Sequence, residues 1–163
     1  GVRIGVAAAK GFAWGAEIPC YGVSTLEAMA AGLGVWEGVI VCTMDARRNQ
    51  VYNAIFKAEK GVLTRLCEDR AISLEELKEE LLKMEGPLYL VGDGSNLTYT
   101  TLQDSVSGMV LPPEHKMHQR AVGVGLLAAA MAEKGEPGNA GELTPNYLRL
   151  SQAERERLAR EQK

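Results

Sequence analysis

Residues 36–67 constrain the possible folds more than any other part of the sequence, because three runs of β-forming residues follow one another there. Residues 38–45 and 51–58 are rich in β-branched and apolar side chains, and the polar turn 46–50 joins them, as in a β-hairpin. Lys60 and Gly61 make a second turn into the third run, residues 62–67. The stretch therefore predicts three strands that form a meander.

The region after this meander predicts a regular succession of helices and strands. Ser73 and Glu76 form a capping box that starts the first helix. The elements that follow it are a strand at 87–91, a polar helix at 96–106, a strand at 110–111 and an apolar helix at 119–134. This order is that of a ribonuclease-H-like unit, so we expect an α/β fold with one complete lobe over roughly residues 35–137.

Residues 1–34 are too short to form a second complete lobe. They predict a helix at 1–16, a strand-like segment at 20–23 and a short helix that Ser24 and Glu27 start with a capping box. A piece of this size leaves one face of any sheet uncovered. We therefore expect residues 1–34 and 138–163 to be the remnant of an amino-terminal lobe together with the C-terminal tail. Within that tail, Ser151 and Glu154 predict another capped helix.

Composition and charge exclude several classes of protein. The chain has 163 residues, of which 46% are hydrophobic, and this composition is ordinary for a globular protein and unlike a disordered one. A net charge of −3 argues against a protein that binds the phosphate backbone of a nucleic acid by itself. The three cysteines form no CxxC motif, so neither a zinc site nor a disulfide framework is indicated. We expect a reduced, cytoplasmic compartment.

Small residues recur along the first predicted helix. Gly1, Gly5, Ala9 and Ala13 are spaced by four, so they are expected to share one helical face. Such a row lets another element approach closely. The row packs either against the lobe's own sheet or against a helix of a partner protein, and the sequence alone does not separate these alternatives.

Four motifs in order resemble the bacterial TsaB family, also called YeaZ. They are "GVRIGVAAAKGFAWGAEIPCYGVSTLEAMA", "MDARRNQVYNAIF", "VGDG" and "PNYLRLSQAERE". The resemblance implies two ribonuclease-H-like lobes, as in actin and the sugar kinases. Gly1 resembles the final glycine of a family turn that leads into this helix. The resemblance therefore implies that three strands and one helix of the amino-terminal lobe are missing here.

The resemblance also implies a function. TsaB-like proteins are partner subunits in making the threonylcarbamoyl modification of the adenosine beside the tRNA anticodon. They pair with the related catalytic subunit TsaD and with the small ATPase TsaE. A protein similar to them is expected to organise the complex without doing the chemistry, to form a homodimer and to meet tRNA only through the complex. The row Gly1, Gly5, Ala9 and Ala13 is then the expected partner interface.

A nucleotide site is implied at the turn of the predicted hairpin, where actin-like folds approach phosphates. Arg47 is suited to pair with an anion, and Asp45 to hold a hydrated magnesium ion. The alternative is that Asp45 stabilises the turn while Arg47 and Arg48 are solvated. No cofactor is expected for this chain alone, whereas ATP or ADP with magnesium is expected at the level of the complex.

Enzymatic activity in its own right remains the alternative function, either as a glycopeptidase-type metallopeptidase or as an ATP-hydrolysing enzyme. The histidines of the chain, His115 and His118, are three residues apart, a spacing that allows both to lie on one side of a helix. No third ligand beyond Glu114 is evident nearby. We therefore expect no metal site and assign no catalytic residue.

Overall fold

The structure is a computed structural model that describes residues 1–34 and 36–149, together with Arg160. Within these residues the chain forms a mixed sheet and six helices. The strands are β1 (Gly38–Asp45), β2 (Gln50–Glu59), β3 (Val62–Arg65), β4 (Arg70–Ser73), β5 (Leu88–Val91) and β6 (Met109–Val110). The helices are α1 (Val2–Ala16), α2 (Thr25–Ala31), α3 (Leu74–Leu81), α4 (Ser95–Leu102), α5 (Glu114–Met117) and α6 (Ala121–Glu133).

The strands of the sheet lie in the order β3-β2-β1-β5-β6, and β4 pairs with β2 beside β3. β1 and β2 form the predicted antiparallel hairpin, with Gly38 opposite Ala58 and Asp45 opposite Val51. β5 pairs in parallel with β1 and with β6, so the connections through α3 and α4 are crossovers. The predicted α/β architecture is confirmed.

The third predicted strand, residues 62–67, corresponds to β3 in the structure, and a further strand, β4, follows it. β3 ends at Arg65, and β4 takes over the pairing with the first half of β2. The interruption lies at Ile55 of β2, whose backbone N–H donates to the Cys67 thiol at 3.2 Å instead of to a strand carbonyl. The sequence analysis did not predict β4, because this strand is only four residues long and its last residue, Ser73, is also the N-cap of α3.

Two apolar layers cover the two faces of the sheet. Alternate residues of β1 point to opposite faces, so Val39 and Val41 enter one layer while Ile40 and Cys42 enter the other. The first layer is filled by α3 and α4, through leucines such as Leu77. The second layer is filled by α2.

The two helix caps predicted within the described residues form to different extents. At α3, Ser73 Oγ accepts from the Glu76 N–H at 3.2 Å and Glu76 Oε2 accepts from the Ser73 N–H at 3.1 Å, so this capping box is complete. At α2, Ser24 Oγ accepts from the Glu27 N–H at 3.1 Å. The Glu27 carboxylate instead forms an ion pair with Arg65 at 2.5 Å, and it is therefore absent from the cap.

Segment 20–23, predicted as a strand, is extended but pairs with no strand within the described part of the chain. A strand needs a neighbour to complete its hydrogen bonds, and none of β1–β6 lies beside this segment. The helix predicted from Ser151 lies outside the described residues. The division into lobes at residues 34 and 138 stays a prediction.

The last helix, α6, packs against α2 at very short range. A Cβ on Gly123 would lie 2.2 Å from the Ala28 carbonyl oxygen, so only glycine fits at this crossing. Among residues 1–34 and 36–149, no helix is both long and apolar enough to cross a bilayer.

Candidate functional site

The charged side chains of α1 form hydrogen bonds with the segment 141–149. Arg3 Nε donates to the Tyr147 hydroxyl at 2.9 Å, and this bond raises the pKa of Arg3 above its ordinary value. Lys10 Nζ donates to the Gly141 carbonyl at 2.9 Å and to that of Leu143 at 3.2 Å. Arg3 and Lys10 are the only charged residues of α1, so both charges of this helix are hydrogen-bonded to segment 141–149.

The outward side of α1 is apolar. The exposed fractions are 76% for Ile4, 72% for Phe12, 74% for Trp14 and 64% for Val2. Only Ala13 of α1 is buried and Val6 is half-buried, so most of the apolar side chains of this helix are uncovered. Exposed apolar surface of this kind marks a candidate interaction site.

The row of small residues does not lie on one face, contrary to the sequence prediction. Gly1, Gly5 and Ala9 are exposed, whereas Ala13 is buried. The reason is the helix geometry, because each step of four residues advances about 40° beyond a full turn. The row therefore begins on the outward face and ends against the protein. A Cβ on Gly5 would meet no atom within 4 Å, so within the described chain this glycine is not required by packing.

A cleft of about 660 Å³ opens beside the first turns of α1. Val2 and Val6 of α1 form one wall, and Tyr21 to Leu26 form a second. The segment from Leu143 to Arg149 forms a third wall, and Met44, Tyr52 and Asp69 also line the cleft. The cleft thus lies between α1, the extended segment before α2 and the chain that follows α6.

The candidate cofactor residues Asp45 and Arg47 lie together in the β1–β2 turn. Arg47 donates to Asp45 twice, from its backbone N–H at 2.7 Å and from Nη1 at 3.0 Å. Arg47, Arg48 and Asn49 have φ values of 65°, 58° and 55°, a left-handed conformation that is uncommon for residues other than glycine. Asp45 thus stabilises a strained turn, and its carboxylate is already paired with Arg47. The role of Asp45 and Arg47 as cofactor contacts stays a prediction.

The Gly92-Asp93-Gly94 loop packs directly on the end of β1. The Asp45 N–H donates to Asp93 Oδ1 at 3.2 Å, and a Cβ on Gly94 would lie 3.0 Å from the Asp45 nitrogen. The contact arises because parallel strands β1 and β5 end at the same edge of the sheet. The sequence did not predict that Asp93 contacts Asp45, because only the register of β1 and β5 brings these two residues together.

Arg149 also reaches the β1–β2 turn, and the sequence did not single it out. Its Nη1 donates to the Ala46 carbonyl at 2.8 Å, across 103 positions of sequence. The turn therefore gathers two carboxylates, Asp45 and Asp93, and the guanidinium groups of Arg47 and Arg149. In this mixture the Asp45 carboxylate is already paired with Arg47, whose side chain is 86% exposed.

The two histidines lie in or next to one short helix. His115 lies in α5 and His118 just after it. Across the described ranges, no three His, Cys, Asp or Glu side chains come together in a way that could hold a metal ion.

Comparisons with known proteins identify similar chains. A family profile described as TsaD, tRNA N6-adenosine threonylcarbamoyltransferase, matches residues 1–157. The tRNA threonylcarbamoyladenosine biosynthesis protein TsaB of Bacillus subtilis (strain 168) is 31% identical over 157 residues, which are 94% of this chain and 66% of that protein. The protein of the same name from Escherichia coli (strain K12) is 31% identical over 152 residues, 91% of this chain and 65% of that protein. The chain thus spans just under two thirds of the length of these relatives.

Solved structures show the same fold. YeaZ from Pseudomonas aeruginosa superposes with a TM-score of 0.69 at 18% identity, covering 91% of this chain and 68% of that one. A protein described as similar to peptidase YEAZ from Pseudomonas aeruginosa gives a TM-score of 0.65 at the same identity and coverage. Together with the observed sheet and helices, this likeness confirms the ribonuclease-H-like, actin-like fold predicted from the sequence.

Proposed function

Because the chain belongs to the TsaB/YeaZ family, we propose that it is a non-catalytic partner subunit in tRNA threonylcarbamoyladenosine biosynthesis. Its relatives carry that pathway in their names. In this proposal the chain binds and positions a catalytic subunit similar to TsaD, and a TsaE-like ATPase joins the complex. The chain contacts tRNA only as part of the complex, because a chain with a net charge of −3 is not suited to bind the tRNA backbone by itself.

The uncovered apolar side chains of α1 are the observation that carries the proposal. Ile4, Phe12 and Trp14 are exposed, while the two charged residues of the helix hydrogen-bond to segment 141–149. Gly1, Gly5 and Ala9 lie on that uncovered face and allow a second helix to approach closely. Exposed aromatic side chains such as Phe12 and Trp14 are the residue types that dominate binding energy at interfaces. The expected occupant is a helix of the catalytic relative, and a second copy competes for the same face.

ATP or ADP with magnesium belongs to the complex rather than to this chain alone. The Asp45–Arg47 pair competes with a phosphate or a metal ion for these two side chains. A partner that inserts an anion beside Arg47 supplies the interaction that offsets the lost pair. Asp45 and Arg47 are therefore proposed as contacts that form only in the assembled complex.

The Gly5→Leu variant tests the proposed interface. The new side chain meets no atom within 4 Å of its Cβ, and leucine favours the helix over glycine by about 0.8 kcal/mol, so the fold should be kept. We expect binding of the TsaD-like subunit, measured by calorimetry, to weaken by at least about tenfold, a loss of about 1.4 kcal/mol.

Thr101→Leu is the matched control, because it adds a leucine at an exposed position of another helix, α4. This variant should bind the catalytic subunit as the unchanged chain does. Equal binding by Gly5→Leu and the unchanged chain would show that the outward face of α1 is not the interface.

A further inference from the structure

The segment 141–149 contacts two parts of the molecule to which the proposed function gives separate roles. We call this segment the strap; it contains no helix or strand and begins at a turn that follows α6. Asn139 closes the turn, because its Oδ1 accepts from the Gly141 N–H at 2.8 Å and its Nδ2 donates to Glu142 at 2.9 Å. The first residues of the strap are therefore held in place before the chain reaches α1.

The strap is the main polar anchor of α1. Within the part of the chain that the structure describes, α1 makes no extensive contact with another helix or with a strand. Lys10 donates to the carbonyls of Gly141 and Leu143, and Arg3 donates to the Tyr147 hydroxyl. The Arg3 guanidinium also lies 5.4 Å from the centre of the Tyr147 ring, close enough for a cation–π contact. The position of α1 therefore depends on the strap.

The last residue of the strap lies on the β1–β2 turn. Arg149 Nη1 donates to the Ala46 carbonyl at 2.8 Å. Ala46 directly precedes Arg47, which the proposed function assigns to a phosphate contact in the assembled complex. Tyr147 and Arg149 are two positions apart, so a movement of the strap at Tyr147 also displaces Arg149. One short stretch of chain thus joins α1 to the turn.

We propose that the strap couples the outward face of α1 to the β1–β2 turn, so that a partner on α1 and a phosphate group at Arg47 strengthen each other's binding. The inference rests on the proposed function and concerns the regulation of that same site. A partner that packs on α1 restrains Arg3 and therefore Tyr147, which holds Arg149 against Ala46. A turn held in this way loses less conformational freedom when a phosphate binds to Arg47. Such coupling acts equally in both directions.

The strap is suited to this role because it can open without unfolding the sheet. Its anchors are individual side-chain hydrogen bonds, and those that Arg3 and Lys10 donate are exposed to solvent on at least one side. Such bonds open locally at a small cost in free energy. None of them involves the buried strands β1 and β5. The docked strap of the structure and an open strap are therefore two states of one folded molecule.

Hydrogen exchange tests the coupling in this chain alone, without a partner. Tyr147→Phe removes the hydroxyl that accepts from Arg3 but keeps the aromatic ring. The Ala46 N–H, which donates to the Gln50 carbonyl at 3.0 Å within the β1–β2 turn, reports on the other end of the strap. Its exchange should become at least about fivefold faster in Tyr147→Phe than in the unchanged chain.

The reverse experiment follows from the reciprocity of coupling. Arg149→Met removes the donor to the turn, and it should speed exchange of the Gly5 N–H, which donates to the Gly1 carbonyl at 3.1 Å in α1, by at least about fivefold. Arg120→Met is the matched control, because Arg120 Nη1 also donates to a backbone carbonyl, that of His115, but lies outside the strap. The control should leave both amides unchanged.

Exchange in the core strands separates coupling from a general loss of stability. The amides of Val41 in β1 and Leu90 in β5 should exchange at the same rate in the unchanged chain and in all variants. An unchanged turn in Tyr147→Phe, or an unchanged α1 in Arg149→Met, overturns the proposal. Equal acceleration in the core strands also overturns it, because the substitutions then destabilise the whole fold.

Calorimetry with the TsaD-like subunit tests the coupling in the complex. ADP with magnesium should tighten binding of the unchanged chain by at least about fivefold and should have little effect on Tyr147→Phe and Arg149→Met. No tightening in the unchanged chain, or equal tightening in all three chains, overturns the proposal. Absence of binding by all three contradicts the proposed function instead, and the exchange rates of the chain alone then decide whether the strap couples α1 to the turn.

Discussion

At the scale of single residues, Arg65 links the segment before β1 to the sheet. Its guanidinium forms ion pairs with Glu27 of α2 at 2.5 Å and with Asp69 at 2.7 Å. It also lies 4.7 Å from the centre of the Phe56 ring, and the Arg65 side chain is 24% exposed. Ser24, which caps α2, donates to Asp69 at 2.5 Å. One arginine thus holds the start of α2 against β3 through polar contacts that flank the apolar layer.

Arg65→Ala should lower the free energy of unfolding by about 1–2 kcal/mol, since partial exposure screens both ion pairs but the stacking on Phe56 is lost too. Urea denaturation measures the difference. Lys57→Ala is the control, because the Lys57–Glu59 pair is more than half exposed on both sides and should contribute nothing measurable. Equal effects of the two substitutions would mean that Arg65 does not anchor α2.

At the scale of elements, α3 depends on its complete capping box. The hydroxyl of Ser73, followed by its backbone N–H, holds the pKa of Glu76 below its ordinary value. A folded-state pKa lower than the unfolded one stabilises the protein above the unfolded value of about 4.3, and this contribution is lost as pH falls through the folded-state pKa. The cap therefore stabilises α3 at neutral pH but not in strong acid.

Two variants separate the halves of this cap. Ser73→Ala should lower the free energy of unfolding by about 1 kcal/mol, since it leaves the Glu76 N–H without its partner. Glu76→Gln should also destabilise the protein at pH 7, and the difference from the unchanged chain should shrink below about pH 4. Thermal unfolding over a pH series measures both effects. A Glu76→Gln difference that stays constant from pH 7 to pH 3 would contradict the assigned hydrogen bonds.

Elements that depend on a local sequence pattern were predicted correctly. Elements that depend on contacts with residues distant in the sequence were not. β1 and the cap of α3 follow from patterning within a few residues, and both are confirmed. β4 was missed and segment 20–23 was predicted as a strand, because pairing depends on which strand lies alongside. The contact of Asp45 with Asp93 likewise needs the parallel register of β1 and β5. The split of the Gly1 to Ala13 row follows from the helical repeat.

At the scale of the whole molecule, the chain presents two uncovered apolar helices on one ribonuclease-H-like unit. α1 turns Ile4, Phe12 and Trp14 outward, and α6 does the same with Val122 and Leu126. Each helix is anchored on its reverse side by specific contacts. A molecule with such exposed helices is suited to bring other subunits together, and the account assigns α1 to the catalytic relative.

Formation of threonylcarbamoyladenosine on tRNA by the reconstituted system tests this account most directly. The TsaD-like and TsaE-like subunits are supplied with substrates, with and without this chain or its Gly5→Leu variant. The account predicts no product from this chain alone, full product with the unchanged chain, and a rate with Gly5→Leu that recovers only as its concentration is raised at least about tenfold. Product formed by this chain alone, or a full rate with Gly5→Leu at the original concentration, would contradict it.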